Sequence, residues 1–379
     1  MSFPAISVLD AIPIGPGVSA SQALAWSTEM ARTAERLGCV RFWVVEHHAI
    51  PDIGCSSPAV FIAHLAAHTS AIRLGAGGVM LPNHTPLIVA EQFSMLEGLC
   101  PGRIDLGIGR APGTDKKTAA ALGRDAESGT PEEYEARLGE LEGFLRRSFP
   151  SEHPYKGIRL PLKVRAPAIY HLGSSVSSAY AAGRRGLAYA FAYHLRPDEV
   201  AEAITSYRAA FRQSAELQRP YAIATVSVVC APTLEEAEEA ACRAATIRLR
   251  AMRAFAQERT SVNDVGEAIS DADEHRLVQE ALTANRVVIG TGDAVVSRLL
   301  SMSREWGVDE IMLTSIEYDG PSRVRTLTSL LDAYQKGRST EGGGLQTTTL
   351  GEQSLSTCNS SQPTACRRGR EKSKIAHRG

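Results

Sequence analysis

Long apolar runs, cysteine pairs and a sizeable net charge are all lacking in this chain of 379 residues, and each absence excludes a class of protein. No apolar stretch approaches the roughly 18 residues that cross a bilayer, so no membrane span is expected. The N-terminus has no basic segment followed by an apolar one, which argues against export. Seven cysteines, at 39, 55, 100, 230, 242, 358 and 366, are odd in number, widely spaced and never form C-x-x-C. A disulfide framework or structural zinc site therefore has no basis, and the expected compartment is the reducing cytoplasm. A formal charge of −1 gives no field to draw nucleic acid or an anionic membrane. The remainder, 44% apolar and 22% charged, is the composition of a globular enzyme.

What is present is an alternation of short apolar runs with segments of helical spacing. Strands are expected at Ala5 to Leu9, Val40 to Val45, Ile72 to Val79, Arg103 to Gly109, Ala168 to Leu172, Leu187 to Ala192, Ile223 to Cys230 and Glu310 to Ser315. Between them, Leu24, Ala31, Ala34 and Leu37 recur on one helical face, as do Val89, Phe93, Leu96 and Cys100. Thr85-Pro86 and Thr233-Leu234-Glu235-Glu236 have the form of helix starts, the second a capping box. A doubly wound sheet shows the same alternation. Polar residues end so many of these runs that a (β/α)8 barrel, which delivers its chemistry at the C-terminal ends of its strands, is the better reading. The barrel is expected over 1–336. Residues 149–167 break the rhythm as an excursion, and 255–289 as an insertion suited to a lid. Residues 337–379 are rich in Gly, Ser and Thr, basic on balance and poor in apolar side chains; they are expected to be a disordered tail without a catalytic role.

The chemistry-bearing residues sit at the ends of these runs. His47 and His48 follow Glu46, and because successive strand residues face opposite ways only one of the pair can face the mouth. Glu46, His47, His84 and His171 lie near strand ends, yet adjacent residues at a strand end seldom chelate one ion, and no metal is expected. Gly77-Gly78 removes side chains where a strand meets the mouth, either for a tight exit or for close approach of a flat ligand. Gly107-x-Gly109-Arg110 lacks the register of a dinucleotide loop, and Pro112 stands where its helix would begin. Arg110 instead offers a five-donor cation to a phosphate. Gly173-Ser174-Ser175-x-x-Ser178 opens a helix whose N–H groups and dipole suit an anion. Arg110 and this helix start together read as a phosphate cup.

Glu46-His47-His48, the run Val79-Met80-Leu81-Pro82-Asn83-His84 with Ala90-Glu91-Gln92-Phe93, and Pro101-Gly102-Arg103 through Gly109-Arg110-Ala111-Pro112-Gly113 resemble the bacterial-luciferase-like flavin monooxygenases. So do Gly173-Ser174-Ser175 and Gly307-Val308-Asp309-Glu310-Ile311-Met312-Leu313, and the likeness extends over residues 3–335. The resemblance implies a (β/α)8 barrel, usually a homodimer, using reduced FMN from a separate flavin reductase. O2 is the co-substrate, and a C4a-(hydro)peroxyflavin inserts one oxygen atom into a small apolar organic substrate by hydroxylation, epoxidation or Baeyer–Villiger oxidation. It implies that His47 is catalytic beside the flavin, that Gly77-Gly78 is a cis peptide under the isoalloxazine ring, and that Arg110, Ser174, Ser175 and Ser178 contact phosphate. Gly109 replaces the cysteine of luciferase itself, so luminescence does not follow. The composition is compatible with tailoring of a specialised metabolite such as an aromatic polyketide. Two other readings share the fold: an F420-dependent dehydrogenase, and a flavin-binding barrel without turnover. The presence of His47 argues against the latter, because a pure binding protein has no use for a proton manager.

Overall fold

The computed structural model describes residues 3–111, 113–124, 130–259, 271–284 and 286–340. Among the described residues, nine parallel strands are joined by eleven α-helices. The strands are β1 (Ala5–Asp10), β2 (Arg41–Val44), β3 (Arg73–Met80), β4 (Ile104–Gly109), β5 (Ala168–Gly173), β6 (Ala188–Phe191), β7 (Ala222–Cys230), β8 (Val288–Gly290) and β9 (Glu310–Ser315). The helices are α1 (Ala20–Arg36), α2 (Pro58–Ala66), α3 (Pro86–Leu99), α4 (Lys116–Ala121), α5 (Pro131–Arg146), α6 (Val176–Arg185), α7 (Val200–Ala210), α8 (Leu234–Arg259), α9 (Asp271–Ala284), α10 (Gly292–Trp306) and α11 (Gly320–Thr340). The order β6-β5-β4-β3-β2-β1-β9-β7 closes on itself through the β6–β7 pairing, so eight parallel strands make the expected barrel. Short β8 pairs only with the end of β7 and stands outside the closed ring.

The expected strands all form, because each carries the β-branched and aromatic residues a pleated wall needs. Val89, Phe93, Leu96 and Cys100 are all buried on the inner face of α3. The capping box at α8 closes as expected: Glu236 N–H donates to Thr233 Oγ1 at 3.2 Å and Thr233 N–H to Glu236 Oε2 at 3.3 Å. Thr85 is the N-cap of α3, but Pro86 holds the first turn without a side-chain cap bond.

Three segments depart from the expected rhythm. Two helices, α4 and α5, separate β4 from the irregular 149–167 stretch. The start of α5 is marked by Thr130, whose hydroxyl accepts from Glu133 N–H at 3.2 Å, and its inner face by Tyr134, Leu138 and Leu141. The segment read as a lid is divided. Its start belongs to α8, 271–284 form α9, and Val278 and Leu282 pack with Val229 and Ala241 into a small apolar cluster. Residues 260–270 and 285 lie outside the described residues. Helix α11 continues to Thr340, past the start of the expected tail, and 341–379 lie outside the described residues.

The N-terminal end of the barrel is filled by charge. Arg41, the first residue of β2, donates from Nε to Glu310 Oε1 at 2.9 Å and from NH1 to Asp105 Oδ2 at 2.7 Å and Tyr170 Oη at 2.6 Å. Trp43 Nε1–H donates to the same Asp105 oxygen at 3.0 Å, Arg73 Nε–H donates to Oδ1 at 3.0 Å, and Tyr221 O–H donates to Glu310 at 2.6 Å. Burial alone would raise the Asp105 pKa, but Arg41 and Arg73 hold it below the ordinary carboxylate value. With no fully buried side-chain polar atom of these residues left without a partner, this network can tolerate its desolvation.

Candidate active site

The opposite, C-terminal end carries the candidate chemistry. His47 and His48 leave β2 together and are clamped by the loop after β4. The His47 Nδ1–H donates to the Gly113 carbonyl at 3.0 Å, His48 N–H reaches the same oxygen at 3.3 Å, and Thr114 O–H donates to the His48 carbonyl at 2.6 Å. Gly113 has φ +64, and a Cβ there would lie 2.8 Å from the Glu46 carbonyl, so a side chain would break this clamp. The two imidazoles differ in what their Nε2 atoms do. His48 Nε2–H donates to Glu46 Oε1 at 2.9 Å, whereas His47 Nε2 keeps no protein partner. Burial, with Arg248 adding to it, holds the His47 pKa below the ordinary histidine value against the opposing pull of Gly113 and Glu46. At neutral pH its Nε2 is therefore a proton acceptor.

Glu46 is a hub that the sequence did not reveal. Besides His48, its Oε1 accepts from His84 Nε2–H at 2.9 Å and Asn83 Nδ2–H at 3.3 Å, and its Oε2 accepts from the Met80 N–H at 3.1 Å. Burial would raise its pKa, but His84, His48 and the Met80 N–H together pull it below the usual carboxylate range. Glu46 thereby ties the exit of β2 to the exit of β3. The ligand atoms of Glu46, His48 and His84 lie within 4.8 Å of one another, a grouping with metal-ligand types, and hydrogen bonds account for it in full.

The Gly77–Gly78 peptide is cis. Both glycines are required by the barrel's own packing. A Cβ at Gly77 would lie 2.6 Å from Leu9 Cδ1 and 2.9 Å from the Trp43 ring, and one at Gly78 would lie 2.8 Å from the Gly107 carbonyl oxygen. Of the two readings given to this pair, tight strand packing is thus sufficient, and nothing in the packing itself requires a ligand.

Arg110 follows β4 and is exposed, with no hydrogen bond or ion pair among the described residues. Ile108 pairs with His171 across β4 and β5, so two residues further on Arg110 comes level with Gly173 and the start of α6. There the three serines divide their work. Ser175 Oγ accepts from Ser178 N–H at 3.3 Å as the N-cap, and Ser178 Oγ is engaged by Ser175 N–H, the Ser175 carbonyl and Tyr189 Oη. Of the three, the Ser174 hydroxyl alone has no partner among the described residues. A Cβ at Gly173 would fall 2.1 Å from Ser178 Oγ, which explains the glycine. An unpaired guanidinium, an unpaired hydroxyl and a helix N-terminus on adjacent strands have the donor chemistry of a phosphate site. Ser178 shapes it and has no hydroxyl capacity visibly left for a ligand.

One mouth residue escaped the sequence reading. His194, three residues past β6, donates from Nδ1–H to the Thr225 carbonyl at 3.3 Å and leaves Nε2 unbonded. Burial pushes its pKa down to about 4, with Arg248 and His47 adding to the shift, so His194 and His47 lie close enough to feel each other. It stands beyond the apolar run that announces β6, and the signal that could have found it is a histidine just past a strand in a barrel.

A family model described as luciferase-like monooxygenase matches residues 5–310. The chain belongs to the luciferase-like monooxygenase family. A luciferase-like monooxygenase of Escherichia coli strain K12 is 36% identical over 338 residues, covering 88% of this chain and 97% of that protein. The solved structure of apo-MsnO8 is 36% identical, with a TM-score of 0.72 over 88% of this chain and 98% of the other. The oxygenating constituent of 3,6-diketocamphane monooxygenase from Pseudomonas putida, solved with FMN, shares the fold at 19% identity and a TM-score of 0.63, covering 87% of this chain and 97% of that one. Among the described residues no helix is long and apolar enough to cross a membrane.

Proposed function

We propose that this protein is a two-component monooxygenase that takes reduced FMN from a separate reductase and inserts one atom of O2 into a small organic substrate. The observation that carries the reading is the arrangement of one strand-end face. A histidine tethered at Nδ1 has its Nε2 open, and the exits of β4 and β5 hold a guanidinium without a partner among the described residues beside a helix N-terminus. Arg110, Ser174 and the first N–H groups of α6 would hold the flavin phosphate, which fits their donor-only character. Reduced flavin supplies the two electrons and the site of oxygen activation; one oxygen atom enters the substrate and the other leaves as water.

The chain's own residues would hold and move the protons. His47, neutral at pH 7 and fixed by Gly113, would take or return a proton at Nε2 without changing its ring orientation. Glu46 would keep the β2 and β3 exits in register, so that His47 and the Gly77–Gly78 peptide stay fixed relative to one another. Trp43 and Leu9 close the barrel below and keep water from reaching the site from within.

Family membership supports the oxygenase class, and the FMN named with the camphane enzyme is compatible with the donor set of the phosphate cup. Titrating the protein anaerobically with reduced FMN and separately with the deazaflavin F420 tests the assignment. Tight uptake of reduced FMN and weaker uptake of F420 is the expected result. Preference for F420 would move the protein to the dehydrogenases of this fold, and binding of neither would overturn the cofactor reading.

A further inference from the structure

Outside the mouth, the β6 exit, β8 and α10 enclose a cavity of about 370 Å³. That volume lies within the range of small-molecule sites. None of its lining comes from the eight strands of the closed ring, and none from the histidines or the phosphate cup. Its floor is apolar. Val288 and Ile289 stay half-buried, because β8 pairs on one side only, with β7. Met302 of α10 is fully buried beside them. Tyr193 makes a wall, held by its ring contact with Trp306 at a centroid distance of 4.5 Å.

The polar side chains that line this cavity are donors. Tyr193 is only 4% exposed, yet its hydroxyl has no hydrogen-bond partner among the described residues. A buried tyrosine O–H ordinarily finds one. Burial raises its pKa although Arg286 and Arg298 draw it down, so the hydroxyl keeps its proton. Arg298, one turn before Met302 on α10, is exposed and has no hydrogen bond or ion pair among the described residues. Arg286, in the turn between α9 and β8, donates from NH2 to Asp198 Oδ1 at 2.6 Å and leaves Nε and NH1 for another acceptor. Two guanidiniums against one carboxylate leave a single positive charge in excess at the rim. From this geometry we infer that the cavity is a second binding site, for a small amphipathic monoanion. Its apolar body lies on Val288, Ile289 and Met302, and its head group takes donors from Arg298, Arg286 and Tyr193. A cationic ligand would meet two like charges, and a neutral one would leave the guanidiniums unused. The site stands independently of the monooxygenase reading, since it shares no residue with the mouth.

Isothermal titration of the full chain would compare 2-naphthalenesulfonate, its neutral isostere 2-naphthalenesulfonamide, and 2-naphthylmethylamine. The expected result is sulfonate binding about tenfold tighter than the other two or more, the worth of one charge-assisted contact. Arg298→Gln, an exposed change that leaves the fold alone, should remove that preference, and Arg298→Lys should keep part of it. Ile289→Ser should weaken sulfonate and sulfonamide alike, because it alters the floor and spares the head-group donors. Equal binding of sulfonate and sulfonamide, a preference for the amine, or no sulfonate binding in the millimolar range would overturn the inference. So would a sulfonate preference that survives in Arg298→Gln, since the anion would then sit elsewhere, or sulfonate affinity unchanged in Ile289→Ser.

Discussion

The two ends of the barrel solve the burial of polar groups in opposite ways. At the N-terminal end, Arg41, Asp105, Glu310, Trp43, Tyr170 and Tyr221 satisfy one another, and none of their side-chain polar atoms is left buried without a partner. At the C-terminal end, His47 and His194 are bonded on one nitrogen only, Arg110 has no partner, and His171 Nδ1 and Asp52 Oδ1 are buried without one. Unmet hydrogen-bonding capacity is costly to keep. At the end where barrels do their chemistry the open imidazole nitrogens are groups a ligand could use, whereas the closed Arg41 network serves stability.

The comparison breaks most visibly at Arg41. Arg41→Ala leaves Glu310 and part of Asp105 buried without their cation and should cost about 3–5 kcal/mol of stability, read from chemical denaturation. A loss below about 1 kcal/mol would show that the network is ornamental. At the mouth, His47→Ala should fold normally and bind FMN nearly unchanged, yet lower oxygenation of a turned-over substrate by ~10²-fold or more, with peroxide released in its place. Coupled turnover at the parent rate would remove His47 from the chemistry.

Acid sharpens the contrast. Burial and the nearby Arg185 and Arg110 push the His171 pKa down to about 4, so the folded chain refuses a proton that the unfolded chain accepts near pH 6.5. Stability is unaffected by this group above pH 6.5 and falls as pH drops from there toward 4, by about 3 kcal/mol. His171→Gln should shrink that loss in pH-dependent denaturation, and an unchanged pH profile would mean His171 is protonated in the fold. The smallest effect is at the phosphate cup. Arg110→Ala should weaken FMN binding by about 1.5–3 kcal/mol, the worth of a charge-assisted contact, and unchanged affinity would discredit the cup.

The wall of the barrel was legible because strand periodicity and turn residues are local. The strand-end positions of His47, Arg110 and the serine turn were legible too, each announced by an apolar run that stops at a polar or glycine residue. The N-terminal network was not legible, because Arg41 and Glu310 stand 269 residues apart and meet only when the ring closes. Glu46 was noticed as a neighbour of the histidines, but its role as a hub depends on His84 and Asn83 arriving from another strand exit. Helix α5 has a local signal in Thr130-Pro131 and the spacing of Tyr134, Leu138 and Leu141, but it leads into no strand and so stands outside the strand–helix rhythm.

The reaction of the anaerobic complex with oxygen tests the central claim most directly. The protein would be mixed with photoreduced FMN, exposed to O2 in a stopped-flow cell, and the flavin absorbance followed. If the C-terminal face binds reduced flavin and governs its chemistry, reoxidation will proceed in distinct phases and finish more slowly than for free flavin. Reoxidation in one phase at the free-flavin rate would contradict the account.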